Sequence, residues 1–348
     1  MSSADRPRRK TVKREFSRFR KDLTELMEDK VPALIEDQVF QEMLFNIGQL
    51  KEEKLDITEL RLLNTAFKEL RYALKVFKPY RKVPKAAVFG SARTPADHSE
   101  FRLAQAFGRK LADKGWMVIT GGASGIMEAA MIGAGAERSF GLNILLPFEQ
   151  EANKVIKDNP KLIFFKYFFT RKLMFLKESE ATVLFPGGFG TFDEGFESFT
   201  LVQTGKAKPR PLVLIDSPGS NYWNSVLHML KKNMEDGGLI APDDRRLMRH
   251  FQNAGLAVKE LTGFYGNYHS SRFFKDLYLI RLRRPVPNDT LDELGRVFKD
   301  ILVEGGFERL KDTSQDDVSD PSLHRIVFAF NRVGYARLRQ LIDRLNRL

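Results

Sequence analysis

The stretch LFPGGFGTFDEGFESF, residues 184–199, places small residues beside carboxylates, a combination that could do chemistry. Glycines at the start of a helix let backbone N–H groups approach a phosphate closely. The carboxylate of Glu194 would then lie next to the bound anion, where it could accept a proton or stabilise positive charge. The spacing also fits a capping box, in which Glu194 only supports the helix. The candidate phosphate-binding residues here are Gly187, Gly188, Gly190 and Thr191.

Two more glycine-rich turns follow the apolar runs KAAVFG and WMVITGG, and each leads into a helix-like pattern. In an open parallel sheet, ligands bind outside the carboxyl ends of the strands. Three such turns in one sheet therefore predict a phosphate site, whereas a single turn would be explained by steric need alone. These two turns contribute the candidate residues Gly90, Ser91, Arg93, Gly121, Gly122, Ser124 and Gly125.

Arg171 lies near the start of the helical segment FFTRKLMFLKE. A cation at this end of a helix is unfavourable unless an anion compensates for the helix dipole. Arg171 is therefore a candidate substrate ligand, with an ordinary surface position as the alternative. Glu197, one turn beyond Glu194, is expected to face solvent.

Other kinds of site find little support. The turn GSARTP is not G-x-G-x-x-G, and no G-x-x-x-x-G-K-[ST] occurs, so neither a dinucleotide fingerprint nor a P-loop is present. The chain has no cysteine, and its five histidines are scattered, so we expect no metal site and no cofactor. A G-x-S-x-G hydrolase elbow is also absent.

The positioning elements alternate between short strands and amphipathic helices. This pattern predicts an α/β fold, a Rossmann-like doubly wound parallel sheet, over residues 82–265. Residues 1–81 are expected to form a basic tail and a helical extension, and 266–348 a small α+β appendage. The strands are expected in KAAVFG, WMVITGG, SFGLNILLP, KLIFFKY, ATVLFPGG and PRPLVLID, with DLYLIRLRR and HRIVFAF in the appendage.

The net charge of +12 is concentrated partly in the first 21 residues. Clustered cations can bind nucleic acid, but a basic tail is usually solvated, so nucleic acid is not expected as a partner. No apolar run is long enough for a membrane span, and the N-terminus does not resemble a secretory signal. A cytoplasmic protein is the expectation.

Taken together, FGSAR, TGGASGIMEAA, TRKLMF and PGGFGTFDE resemble the LOG family of phosphoribohydrolases, sometimes labelled lysine decarboxylases. Residues 186–194 match the P-G-G-x-G-T-x-x-E signature at every fixed position, and the resemblance extends over about residues 85–265. The family's R-K-x-x-M element appears here as RKLM, residues 171–174, with one residue fewer before the methionine. Glu128 also replaces the last glycine of G-G-G-x-x-G-L-M-G, which affects the phosphate contacts expected of that loop.

The resemblance implies cleavage of a nucleoside 5′-monophosphate to free base and ribose 5-phosphate, with Glu194 and Arg171 at the two catalytic positions. The long flanks favour a general purine or pyrimidine nucleotide nucleosidase, with cytokinin ribotides as further candidate substrates. A homo-oligomer, typically a dimer, is implied by the resemblance only. Two alternatives remain: a non-catalytic nucleotide sensor or carrier, and, more distantly, a protein that binds single-stranded nucleic acid.

Overall fold

The chain comprises two compact units, Met1–Thr65 and Ala66–Leu348. The computed structural model describes residues 35–146, 151–310, 316, 318 and 320–348. The basic N-terminal tail lies outside the described residues, as does most of the acidic loop at 311–320. The domain boundaries at 81/82 and 265/266 stay predictions. No helix within the described ranges is both long enough and apolar enough to cross a membrane.

Within the described residues, two helices precede the first strand, in the region expected to form a helical extension. Helix α1 (Ile35–Glu52) lies in the first unit, and α2 (Ile57–Phe77) begins there and continues into the second. The last turns of α2 bury Ala73 and Phe77 in the core of the second unit. A 3₁₀ turn, Lys78–Tyr80, follows α2.

A seven-stranded parallel sheet forms the centre of the second unit, with the order β4-β3-β2-β1-β5-β6-β7. The order runs outward from β1 in one direction and then resumes at β5 on the other side, which confirms the doubly wound sheet. The last strand was not predicted. The strands are β1 (Lys85–Phe89), β2 (Met117–Thr120), β3 (Ser139–Ile144), β4 (Leu162–Phe165), β5 (Ala181–Leu184), β6 (Leu212–Ile215) and β7 (Met248–Phe251).

Helices cover both faces of this sheet, which explains why its strands are almost continuously apolar. One face packs on Phe107, Ile126 and Leu261 of three helices, and the other face on Met174 and Trp223. The helices in chain order are α3 (Ser99–Asp113), α4 (Ile126–Ala134), α5 (Phe168–Glu178), α6 (Phe189–Gln203), α7 (Tyr222–Met229) and α8 (Ala254–Phe264).

The C-terminal part forms a second, antiparallel sheet with the order β10-β11-β9-β8. Its own apolar core includes Tyr278, Leu294 and Leu341. The predicted small α+β appendage is confirmed as a fold element, although its first and third strands were not predicted. The elements are β8 (Tyr268–Phe274), β9 (Leu277–Leu282), α9 (Asn288–Val297), β10 (Glu308–Arg309), β11 (His324–Phe328) and α10 (Tyr335–Asn346).

Candidate active site

The site lies where the strand order reverses, at the carboxyl ends of β1 and β5. These strands pair directly, with Ala86 opposite Ala181 and Phe89 opposite Leu184. The crevice beside such a reversal is the usual ligand position in a doubly wound sheet. The turns that leave β1, β2 and β5 are the three glycine-rich turns predicted from the sequence.

Hydrogen bonds tie these three turns together. The Ser91 N–H donates to the Pro186 carbonyl (3.0 Å), and the Ile126 N–H donates to the Ser91 carbonyl (3.0 Å). The Ser124 hydroxyl donates to the Ala92 carbonyl at 2.8 Å. The turn after β1 is therefore held between the other two, and its backbone is preorganised.

Glycine is sterically required at two positions between the turns. Gly125 has a φ of +68°, and a Cβ there would lie 2.3 Å from the Ser91 carbonyl oxygen. A Cβ on Gly187 would lie 2.1 Å from the Thr191 hydroxyl oxygen. Neither glycine lines the cavity described next, so both support the turns rather than face the ligand.

A cavity of about 620 Å³ opens onto these turns. Four predicted residues, Gly122, Ser124, Gly125 and Gly187, are not part of its wall. The apolar wall residues Phe89, Met127, Phe175 and Phe189 were not predicted. The cavity brings together the predicted residues Gly90, Ser91, Arg93, Gly121, Arg171, Gly188, Gly190, Thr191 and Glu194.

The capping interpretation of Glu194 is wrong. Helix α6 begins at Phe189 with Gly188 as its N-cap, three residues earlier than a capping box on Thr191 requires. The Thr191 N–H instead donates to the Gly188 carbonyl at 3.0 Å. Glu194 therefore lies on the second turn of α6, and its side chain is free to contact another helix.

Arg171, on α5, is the residue that Glu194 contacts. Its Nη2 atom donates to Glu194 Oε1 at 3.2 Å, and the two side chains are 13% and 6% exposed. The guanidinium also stacks on the Phe168 and Phe175 rings, at 5.0 and 5.8 Å from their centroids. Within the described part of the chain, the buried Arg171 Nε has no hydrogen-bond partner. A buried donor of this kind is costly unless a ligand accepts from it.

Burial dominates the electrostatics of this pair. It raises the pKa of Glu194 to about 7, although the charges of Arg171 and Lys172 pull that pKa downward. Burial also lowers the pKa of Arg171, against the opposing effect of Glu194. A carboxyl group with a pKa near neutrality can both accept and release a proton at physiological pH.

Lys172 is a neighbour of this pair that the sequence did not single out. Its Nζ atom lies 2.8 Å from Asp193 Oδ1, 2.7 Å from Glu197 Oε2 and 3.9 Å from Glu194 Oε2. Glu197, expected to face solvent, is 41% exposed but bound to this lysine. Burial opposes the charge on Lys172, yet the hydrogen bonds to Asp193 and Glu197 outweigh it and raise the lysine pKa.

Glu69, near the end of α2, fixes the helix that carries Arg171. Its carboxylate accepts from the Lys166 N–H at 2.7 Å and from the Thr170 hydroxyl at 2.6 Å. Helix α5 has no side-chain cap of its own at Tyr167. Glu69 therefore supplies an anion at an N-terminus that lacks one, which favours the helix. No local sequence signal connects these residues, which are about 100 positions apart.

Comparison with known proteins supports the resemblance. A family model described as "Possible lysine decarboxylase" matches residues 124–261. A cytokinin riboside 5′-monophosphate phosphoribohydrolase of Mycobacterium tuberculosis is 28% identical over 157 residues, covering 43% of this chain and 79% of that protein. One from Arabidopsis thaliana is 34% identical over 94 residues, covering 27% of this chain and 42% of the plant protein. The chain thus spans about two fifths of the plant relative's length.

A solved structure is similar to about half of this chain. The molybdenum cofactor binding protein from Rippkaea orientalis is 18% identical, with a TM-score of 0.37, over 51% of this chain and 94% of that chain. Nothing about function follows from a similarity of this size. The segment that matches the family model, by contrast, spans both residues of the buried Arg171–Glu194 pair.

Proposed function

We propose, from the similarity of residues 124–261 to this family model and of the chain to the phosphoribohydrolases named above, that the protein is a LOG-family enzyme that hydrolyses the N-glycosidic bond of nucleoside 5′-monophosphates. The products are a free base and ribose 5-phosphate. The observation that carries this proposal is the buried contact between Arg171 and Glu194 beside the glycine-rich turns. A sensor or carrier would need the turns but not a buried carboxyl group with a pKa of about 7.

The reaction breaks the bond between C1′ and the base nitrogen, and the bonding electrons leave with the base. The transition state carries positive charge on the sugar, as in other glycoside hydrolyses. The carboxylate form of Glu194 stabilises this charge and accepts a proton from the attacking water, whose oxygen bonds to C1′. The departing base nitrogen takes up one proton from solvent, and Glu194 releases to solvent the proton that it accepted, so the net reaction consumes one water molecule.

The cavity offers separate surfaces for the phosphate and for the base of the substrate. The backbone N–H groups at the start of α6 and the side chain of Arg93 suit the phosphate. The aromatic rings of Phe89, Phe175 and Phe189 suit the base, because stacking is tolerant of base identity. This tolerance supports a broad substrate range over purine and pyrimidine nucleotides, including cytokinin ribotides.

A homo-oligomer is part of the proposal. Phe164, Phe168, Phe169 and Leu173 are each about half exposed, and Phe189 at the cavity is 95% exposed. A group of exposed apolar side chains next to a site is typical of a surface that another protein covers. Sedimentation velocity should give a species heavier than the 40.0 kDa monomer.

The experiment is incubation of the purified chain with a panel of nucleoside monophosphates, followed by chromatography of the base and ribose 5-phosphate. We expect both products in equal amounts, and no release from the corresponding nucleosides, which lack the phosphate. Nucleotide binding without product across the whole panel would contradict the proposal and favour a sensor.

A further inference from the structure

A second large cavity, of about 730 Å³, lies away from the candidate active site. Its wall comes from the segment before and within β7, from α9 and from the polar face of α10. The two cavities share no lining residue. Arginine is the most frequent residue in its wall, contributing Arg245, Arg246, Arg249, Arg337, Arg344 and Arg347.

The arginines exceed the acidic residues that could neutralise them. Three acidic side chains line the cavity, and two more, Asp243 and Asp300, pair with wall arginines from just outside it. Five of the arginines make an ion pair. Considering only the residues that the structure describes, the side chain of Arg347 makes neither an ion pair nor a hydrogen bond. One positive charge thus remains uncompensated.

The paired arginines also keep unused donors. Arg249 contacts Asp343 through Nη2 only, and Arg344 contacts Glu293 through Nη2 only. Because a guanidinium carries five N–H donors, each of these side chains can bind an anion without losing its protein partner. Arg337 and Arg344 lie in α10, and Arg347 is the residue that follows the helix, still in helical conformation. Their spacings of seven and three residues therefore put them along one side.

An apolar strip completes the cavity. Leu294, Val297 and Phe298 of α9 line it together with Met248. Val297 is 52% exposed, and the Arg337 guanidinium stacks 4.8 Å from the centroid of the Phe298 ring. A concave wall that joins arginines to apolar side chains suits a compact organic anion better than an extended strand.

We propose that this cavity, termed here the arginine cavity, binds a small molecule that carries two or more phosphate groups. Arginine forks match phosphate oxygens bidentately, and arginines on two facing segments can hold separate phosphates. The proposal does not depend on the glycosidase activity, because no residue of the Arg171–Glu194 pair takes part.

The test is calorimetric titration of the full chain with inorganic tripolyphosphate and with orthophosphate at one ionic strength. We expect tripolyphosphate to bind at least about tenfold more tightly, because it can make several charge-assisted contacts at once. A further titration with a nucleoside triphosphate distinguishes a nucleotide ligand from an inorganic polyphosphate. Tighter binding than tripolyphosphate indicates a nucleotide ligand, and equal binding indicates an inorganic one.

The decisive variant is R344Q/R347Q, and R109Q/K110Q on the exposed side of α3 is its matched control for lost charge. The first should weaken tripolyphosphate binding at least about tenfold, whereas the control should change it less than about twofold. Thermal melting verifies that both variants are folded. Equal losses in the two variants, or no preference for tripolyphosphate, would overturn the proposal. So would tighter binding of an oligothymidylate that R344Q/R347Q abolishes, since the cavity would then be a nucleic-acid surface.

Discussion

Replacing Glu194 by glutamine should change how the stability of the protein depends on pH. In the folded protein, burial raises the pKa of Glu194 from the reference value of 4.5 to about 7. Between these two pH values, the folded state holds one proton more than the unfolded state. The free energy of unfolding therefore falls as pH rises, by about 1.4 kcal/mol per pH unit and about 3 kcal/mol over the interval. Below pH 4.5 and well above 7, this contribution is flat.

The variant lacks this titration, so its stability relative to the wild type should rise by about 3 kcal/mol between pH 4.5 and 8. Loss of the carboxylate that Arg171 contacts lowers the stability of the variant by an amount that does not depend on pH. This loss shifts the stability difference equally at every pH and leaves its pH dependence unchanged. Urea unfolding at a series of pH values, followed by tryptophan fluorescence, measures this stability difference. Both tryptophans, Trp116 and Trp223, report on it because they are buried against the same parallel sheet.

E197Q is the matched control for this measurement. It removes a carboxylate of the same helix that is 41% exposed. The free energy of unfolding of this variant should depend on pH in the same way as that of the wild type. A difference between wild type and E194Q that stays constant with pH would refute the reasoning. A difference of opposite slope would mean that Arg171 outweighs burial and lowers the pKa of Glu194.

Three further predictions follow from the site. In the proposed reaction, kcat/KM should rise with pH and level off above about 7, since the carboxylate form of Glu194 is the active one; a pH–rate profile measures this. Gly125→Ala should lower Tm more than Gly135→Ala, because both have a positive φ but only the first brings a Cβ to 2.3 Å from the Ser91 oxygen. Glu69→Gln should cost about 1–3 kcal/mol of stability through weakened hydrogen bonds at the start of α5, measurable by urea unfolding.

The sequence predicted most of the parallel sheet because its strands are buried on both faces. Runs such as AAVF and LVLI have no polar residue that would interrupt the apolar pattern. Strand β7, MRHF, and strand β8, YHSSRFF, were missed because both are only partly buried and carry polar side chains. Local apolar pattern is therefore a good guide to the central strands and a poor one at the edges.

The candidate site was predictable in its turns but not in its contacts. The glycines after β1, β2 and β5 follow from the need for close backbone approach. The start of α6 at Phe189, by contrast, had no capping side chain to announce it, so the position of Glu194 on the helix was misjudged. The support that Glu69 gives to α5, and the arginine cavity, join segments about 100 residues apart, which no local pattern records.

Product release by E194Q tests the central claim most directly. Wild type, E194Q and E197Q are incubated with the nucleoside monophosphate that the panel ranks first, and the free base is quantified by chromatography. The rate of E194Q should be lower than that of the wild type by about 10²–10⁴-fold. E197Q, which keeps the buried Arg171–Glu194 contact, should lose less than about tenfold. Turnover by E194Q at the wild-type rate would contradict the assignment of Glu194 as the catalytic carboxylate.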